Sequence, residues 1–134
     1  MTQTSNTNDP SVDARERARL LALQAMALAE RADIARLEQG VREIQQYLAG
    51  ELEMELEDEE ENAFPALARQ GLRGEVEEAM HQHALLRGLR YKLMRIQPEE
   101  PERWREVLLE IAASLRRHAE LEEDLRRGGT EKRC

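Results

Sequence analysis

The sequence has few aromatic residues, one cysteine and no long apolar run, and each shortage excludes a class of protein. Its four aromatic residues are Tyr47, Phe64, Tyr91 and Trp104. They are too few for a β-sandwich or barrel, whose strands are rich in aromatic and β-branched side chains. The single Cys134 excludes an internal disulfide and is typical of a reducing compartment. No apolar run approaches the ~20 residues of a membrane span, and no basic, apolar signal segment is present at the N-terminus.

The residues that are abundant predict a helical protein. Charged residues make up 36% of the chain and apolar residues 40%, and Ala, Leu, Glu and Arg, which are common in long helices, dominate both groups. The net charge of −8 argues against a nucleic-acid partner, because affinity for phosphates is built from clustered Lys and Arg. A chain of 134 residues can form one domain with its own core. We therefore predict one soluble, cytoplasmic, all-α domain.

Glycine and proline divide the chain into four helical patterns. The first pattern ends before Gly40, and Pro65 is expected to kink the second in its last turns. The predicted helices cover residues 12–38, 41–70, 75–96 and 101–127. Short connections favour an antiparallel up-down-up-down four-helix bundle over residues 12–127. A disordered segment is predicted at residues 1–11, and a flexible tail at residues 128–134.

One acidic stretch is compatible with two kinds of secondary structure. Residues 51–57 alternate between acidic and apolar side chains, which taken alone is a strand pattern. Leu48, Leu52 and Leu56 nevertheless keep helical spacing through it, so a helix is predicted. Residues 51–61 carry eight acids and no base, and their mutual repulsion weakens a helix. We expect cationic groups to offset this charge.

Polar side chains fall on the apolar stripe of every predicted helix. In the fourth helix the stripe runs through Trp104, Leu108, Ile111, Leu115, His118, Glu122 and Leu125. The inward polar residues are Gln24 on the first helix, Glu55 and Glu59 on the second, His83 on the third, and His118 and Glu122 on the fourth. A buried carboxylate costs several kcal/mol unless it is paired or bound to a metal. Three of them in one core need a common explanation.

The depth of these residues in the bundle places them in one layer. In two antiparallel helices joined by a turn, residues that are the same number of positions before and after the turn lie side by side. Three pairs meet this condition at the three predicted turns, namely Gln24 with Glu55, Glu59 with His83, and His83 with His118. The layer then contains two imidazoles, three carboxylates and an amide. These are ligand types for iron, manganese or zinc.

The sequence resembles the hemerythrin-like (HHE cation-binding) domain family. Residues 60–65, Glu-Glu-Asn-Ala-Phe-Pro, are similar to the family's E-E-x-x-F-P run at the end of helix two. His118-Ala-Glu-Leu-Glu122 matches the H-x-x-x-E motif of helix four, and His83 matches the histidine of helix three. Glu55 and Gln24 stand where the family has histidines on helices two and one. The resemblance extends over residues 20–125.

The resemblance implies a non-haem di-iron site at the centre of the bundle. Its implied ligands are His83, His118, Glu122, Glu59 and Glu55. Gln24 is expected beside the ligands rather than on the metal. His81, in the sequence Glu78-x-x-His81, is interpreted as a surface histidine that could also turn towards the site. Manganese and zinc are the alternatives to iron, because the same nitrogen and oxygen ligands serve all three.

Two functions from different classes follow from these observations. The first is a metal protein that binds, senses or stores oxygen, nitric oxide or iron. The second is a metal-free bundle that acts as an interaction or regulatory module, with a basic partner on the acidic band at residues 51–61. An inward histidine is in general more often a hydrogen-bonded core residue than a ligand. No substrate pocket or acid–base pair is visible that would favour an enzyme, and a protein partner or a second copy stays open.

Overall fold

The structure, a computed structural model, describes the backbone of residues 10–133 and the side chains of residues 13–127. The described residues form six α-helices and one π-helical turn. They are α1 (Pro10–Arg31), α2 (Ile34–Ala49), α3 (Glu51–Asp58), the π turn (Glu59–Ala63), α4 (Phe64–Arg69), α5 (Arg73–Met94) and α6 (Pro101–Arg133). The segments from α2 to α4 follow one another closely, so that together they make one interrupted helical stretch. The prediction of an all-α bundle of four helical stretches is confirmed.

Contacts between the helices give their relative direction. The Arg105 guanidinium, near the start of α6, donates to the carbonyl of Ala29, near the end of α1, at 3.1 Å and to that of Ala32, just after α1, at 3.0 Å. Further along α6, Glu123 pairs at 3.5 Å with Arg19, which lies in the middle of α1. α1 and α6 are therefore antiparallel neighbours, as the first and last helices of an up-down-up-down four-helix bundle are.

The first turn of the chain lies at Ala32 and Asp33, which corrects the predicted turn at Gly40. α1 ends at Arg31, and the Asp33 carboxylate caps α2 by accepting a hydrogen bond from the Arg36 backbone N–H at 2.9 Å. This N-cap satisfies a donor that the first turn of a helix leaves without a partner. Gly40 is buried inside α2 rather than at its boundary.

Gly40 allows α1 and α2 to approach each other closely. A Cβ atom at this position would lie 2.4 Å from both terminal carbons of the Leu28 side chain. Even the Leu28 Cγ would be only 2.9 Å away, so that the whole side chain would have to move. Glycine is here a packing residue, and its low helix propensity is offset by the contact it permits.

Gly40 and Gly88, each in the interior of a helix, provide a matched test of this packing. Gly88 lies in α5 with no atom within 4 Å of the position that a Cβ would take. Gly88→Ala should therefore raise the free energy of unfolding by about 0.5–1 kcal/mol through helix propensity alone. Gly40→Ala should lower it by about 1–2 kcal/mol, because overpacking outweighs the same gain in propensity. Urea denaturation of both variants checks this, and equal effects would contradict the close approach.

The buried face of α1 differs from the predicted one. The inward position predicted for Gln24 requires a stripe that also buries Leu20 and Ile34, and it is wrong, since Leu20 and Ile34 are each 58% exposed. The buried residues of α1 are instead Arg15, Ala18, Leu21, Ala22, Ala25 and Ala29. Small alanine side chains let α6 pack closely along this face. A prediction of the buried face of α1 from its leucines fails because that face consists mainly of alanine.

The acidic stretch is helical, as predicted, and residues of the same chain offset its charge. Glu51 accepts two hydrogen bonds from Arg17 at 2.9 and 2.8 Å. This pairing holds the pKa of the Glu51 carboxyl below its usual range. Glu53 is bound by Arg87 at 2.8 Å and lies 3.4 Å from a guanidinium nitrogen of Arg90. The cations that the sequence calls for therefore come from α1 and α5.

The first and last helices extend further than the helical patterns predicted for them. α1 begins at Pro10, so residues 10 and 11 are helical, while residues 1–9 of the predicted disordered segment lie outside the described residues. α6 continues through the two glycines of the predicted tail to Arg133, and Cys134 lies outside the described residues. The extent of the bundle domain, residues 12–127, stays a prediction.

The apolar core forms a large cluster and a small one. The large cluster includes the predicted α6 residues Trp104, Leu108, Ile111 and Leu115, and the small one consists of Phe64, Ala79 and Leu125. The inward polar residues of α5 and α6 lie between the two clusters along each helix. Within the part of the chain that the structure describes, no helix is both long and apolar enough to cross a membrane.

Candidate functional site

Three potential metal-ligating side chains meet in the middle of the bundle. Glu59 comes from the π turn, His83 from α5 and His118 from α6, and one ligand atom of each lies within 4.8 Å of the other two. The Nε2 atoms of His83 and His118 lie 2.9 and 3.4 Å from the same oxygen, Oε1 of Glu59. The two imidazole side chains are 1% and 3% exposed. Two imidazole nitrogens and one carboxylate thus face a common, largely buried point.

The other two predicted ligands lie next to this cluster. Glu122 Oε2 is 3.6 Å from His118 Nε2, and its side chain is 15% exposed. Glu55 is half-buried and lines the same cavity as Glu59 and Glu122. The structure therefore brings all five residues to one region, with three in a tight cluster and two at its edge.

The π turn presents two consecutive glutamates to one histidine. Its last hydrogen bond runs from the Phe64 N–H to the Glu59 carbonyl, five residues back. The next residue, Pro65, has no N–H and its ring clashes with the carbonyl four residues earlier, which disfavours regular α-helix at this point. The irregularity thus lies before Pro65 rather than after it. Such π turns are frequent at functional sites.

Glu60 and Arg87 belong to the site, although neither is among the residues predicted from the sequence. Glu60 Oε2 lies 2.7 Å from Nδ1 of His83 and accepts from Arg87 at 2.6 Å. Arg87 also donates to Glu53, so its guanidinium ties two carboxylates together. The spacing of His83 and Arg87 in the sequence indicates this arrangement. Arg87 follows His83 by four residues, which places both on one face of α5.

These contacts orient the His83 ring. With Nδ1 held by Glu60, the Nε2 atom points at Glu59 and towards His118. The Phe64 ring packs against the same imidazole, with centroids 5.1 Å apart. A carboxylate on the far nitrogen is the usual way in which proteins orient a metal-binding histidine. The His118 ring is held differently, since no described residue makes a hydrogen bond with its Nδ1.

The carboxylates of the site differ in their ionisation. Burial alone would raise the pKa of Glu59, but hydrogen bonds to His118 and His83 outweigh it and the net pKa lies below the ordinary value. The pKa of Glu60 is lowered in the same way, by Arg87 and His83 against its burial. Burial, together with the like charges of Glu51 and Glu59, raises the pKa of Glu55 to about 7.

The raised pKa of Glu55 predicts a pH-dependent stability. In the folded metal-free protein the Glu55 carboxyl holds its proton up to a pKa of about 7, whereas in the unfolded chain it ionises at a lower pH. The free energy of unfolding therefore falls progressively as the pH rises towards 7. Glu55→Gln should therefore raise the free energy of unfolding by about 1–2 kcal/mol at pH 8, after allowance for partial solvent screening. At pH 4.5 the difference should nearly vanish. Urea denaturation at both pH values measures it, with the exposed Glu61→Gln as control, and a gain that is equal at both pH values would contradict the prediction.

Gln24 and His81 lie outside the site, which corrects the inward position predicted for Gln24 and places His81 on the surface, where the sequence interpretation puts it. Gln24 is exposed, and its amide donates to Glu43 on α2 at 3.2 Å. A turn at Gly40 would place Gln24 in the polar layer, but the turn between α1 and α2 lies several residues earlier, at residues 32 and 33. The residues of α1 that lie level with Glu55 in the bundle are therefore closer to the N-terminus of α1 than Gln24 is. His81 is exposed on the outer face of α5, beside Leu85.

A cavity of about 380 Å³ adjoins the cluster. Its wall includes residues from α1, the second helical stretch and α6, namely Ala14, Arg15, Glu55, Asp58, Glu59, Ala63, Phe64, Leu67, Glu122, Leu125 and Arg126. The residue of α1 that takes the place predicted for Gln24 is Arg15, which is 8% exposed. The cavity gives a small molecule or an ion a route to the Glu59 carboxylate.

Comparison with known proteins agrees with this architecture. A sequence model described as the hemerythrin HHE cation binding domain matches residues 14–125, which includes the whole cluster and its neighbouring carboxylates. No curated protein and no solved structure matches the chain. The family is one of metal-binding helical proteins, and the Glu59, His83 and His118 group could hold a metal ion. The chain belongs to the hemerythrin HHE cation-binding domain family.

Proposed function

We propose that this protein binds a non-haem metal ion, iron in the first instance, and uses it in the cytoplasm to bind or sense oxygen or nitric oxide, or to store iron. The observation that carries the proposal is the convergence of two imidazole Nε2 atoms on one carboxylate oxygen of Glu59. Buried histidines that serve only the core have no need to face a shared carboxylate. The family match supports the same kind of site.

The donor set fits such an ion. Two imidazoles and one carboxylate are ligands for iron, manganese or zinc, and in non-haem iron proteins this set leaves coordination positions open. His83, His118 and Glu59 would hold the metal, and Glu122 and Glu55 are close enough to the cluster to add ligands or to serve a second ion of a di-iron site. A bound iron would supply reversible binding of a small ligand and one-electron chemistry.

The chain's own residues prepare this position. Glu60 holds the His83 ring by its Nδ1 atom, and Arg87 in turn holds Glu60. Phe64 covers one side of the ring and keeps water from it. Both histidines would give their Nε2 lone pairs to a metal ion, which places the ring protons on Nδ1, where Glu60 can accept the proton of His83.

Elemental analysis of the purified, tag-free protein tests the proposal. The protein is analysed as isolated and again after anaerobic incubation with ferrous iron and gel filtration, and its absorption spectrum is recorded before and after exposure to air. We expect iron to be retained at one or more ions per chain, with an absorption change in air. Absence of bound metal after reconstitution with iron, manganese or zinc would overturn the proposal and favour the metal-free interaction module.

A further inference from the structure

Arg15 brings a permanent positive charge to the wall of the site cavity. It lies in the first turns of α1, is 8% exposed, and lines the cavity together with Glu55, Glu59 and Glu122. A guanidinium stays protonated at any physiological pH and has no lone pair to give to a metal. At this position α1 therefore contributes a cation and no ligand.

The nitrogen donors lie to one side of the cavity. His83 and His118 belong to α5 and α6, which pack against each other, and their rings meet edge to face with centroids 4.9 Å apart. Arg15 and Glu55 lie on α1 and α3 and line the same cavity. A second ion on the α1 side would have only carboxylate donors, and it would lie near a fixed charge of the same sign. Repulsion of that kind is strong where little water screens it.

The charges of the cavity favour a single ion. The four acids on the cavity wall, Glu55, Asp58, Glu59 and Glu122, supply four negative charges when ionised. Arg15 and Arg126 on the same wall supply two positive charges, so that one divalent ion completes the balance. Two divalent ions would leave an excess of two positive charges in a partly buried space, and an uncompensated charge is costly there.

We propose that Arg15 takes the place of a second metal ion, so that the site binds one ion per chain, held by Glu59, His83 and His118. This inference rests on the proposed function, because it specifies the number of ions in the same site. It assigns Arg15 as the counter-cation of the carboxylates that the single ion does not neutralise. Removal of the charge at residue 15 should then open the second position.

Metal stoichiometry in variants of Arg15 tests this inference. Metal-free wild type, Arg15→Met and Arg15→Lys are titrated with Co²⁺ and ferrous iron under anaerobic conditions. Bound metal is counted by elemental analysis after gel filtration, and melting temperatures are recorded with and without metal. Arg17→Ala is the matched control, because Arg17 lies on the same helix but pairs with Glu51 outside the cavity.

We expect wild type, Arg15→Lys and Arg17→Ala to bind one ion per chain. Arg15→Met should bind a second ion at least about tenfold more tightly than wild type does, and its melting temperature should rise further with metal. Two ions in wild type, or the same stoichiometry and affinity in Arg15→Met as in wild type, would overturn the role of Arg15 but leave the proposed function intact. If Arg15→Met does not fold, the count in wild type alone decides between one ion and two. No ion in wild type would overturn the proposed function itself.

Discussion

Replacing His118 with alanine is expected to abolish metal binding. The imidazole of His118 is one of two nitrogen donors facing Glu59, and loss of a direct ligand should weaken binding by more than the roughly 10–100-fold seen when a supporting residue is removed. An ion present at about 100 times its dissociation constant stabilises the folded state by about 2.7 kcal/mol. Wild type should therefore melt at a higher temperature with added metal, and His118→Ala should not. Thermal melts with and without ferrous iron or zinc measure the difference.

The same experiment separates a ligand from an ordinary core residue. His118→Ala also removes a buried side chain, so the metal-free variant should lose about 1–3 kcal/mol in any case. Glu59→Gln keeps the shape of the side chain and removes its charge, and it should lose the metal-dependent stabilisation too. His81→Ala is the control, because His81 is exposed on α5 and outside the cluster. A metal-dependent rise in melting temperature that persists in His118→Ala would refute the assignment of this ligand.

Replacing Arg87 with alanine should weaken both the fold and the metal site. Its guanidinium joins Glu53 and Glu60, and without it Glu60 loses its arginine partner while Glu53 keeps only Arg90 at 3.4 Å. Because these side chains keep 21–29% of their exposure, the loss in the free energy of unfolding should be about 2–3 kcal/mol, below that of a fully buried pair. Metal affinity should fall about 10–100-fold, since Glu60 would no longer be held against His83.

Two further variants show whether the geometry of Arg87 matters. Arg87→Lys should recover only part of the stability, because an ammonium group cannot bind two carboxylates through a planar fork. Arg103→Ala is the control, since Arg103 is 54% exposed and its ion pair among the described residues is with Glu100, just before α6. It should change stability by less than about 0.5 kcal/mol. Urea denaturation of the metal-free proteins and a Co²⁺ titration measure both effects, and an Arg87→Ala protein with unchanged affinity would contradict the link to His83.

The pairing of residues across the predicted turns is correct at two of the three turns, because local sequence signals determine where those two turns lie. Gly71 adopts a positive φ of 94°, and the N–H groups of Gly71 and Leu72 bond back to Ala68 and Leu67, as in a glycine-ended helix. Pro101 opens α6 at the position where a proline is best tolerated. The residues predicted to lie opposite each other across these turns, Glu59, His83 and His118, do meet.

The first turn shows where local signals compete. Asp33 is a good N-cap and Gly40 a good helix breaker, and the spacing of the apolar residues does not choose between them. The contact with Leu28 explains why a glycine lies inside α2, and this contact exists only after α1 and α2 have packed together. With the turn at residues 32 and 33, Arg15 rather than Gln24 is the residue of α1 that lies at the depth of Glu55.

The sequence by itself determined the helical class, the acidic helix at residues 51–57 and the inward direction of His83 and His118, because periodicity, propensity and capping act within a few residues. Only the tertiary structure decided which face of α1 is buried, that Glu60 and Arg87 support His83, and that Arg15 shares a cavity with Glu122. These arrangements join residues that are distant in the chain. They depend on side-chain size, on a π turn before a proline and on how charges pair once the helices have packed, and none of these is a property of a local segment.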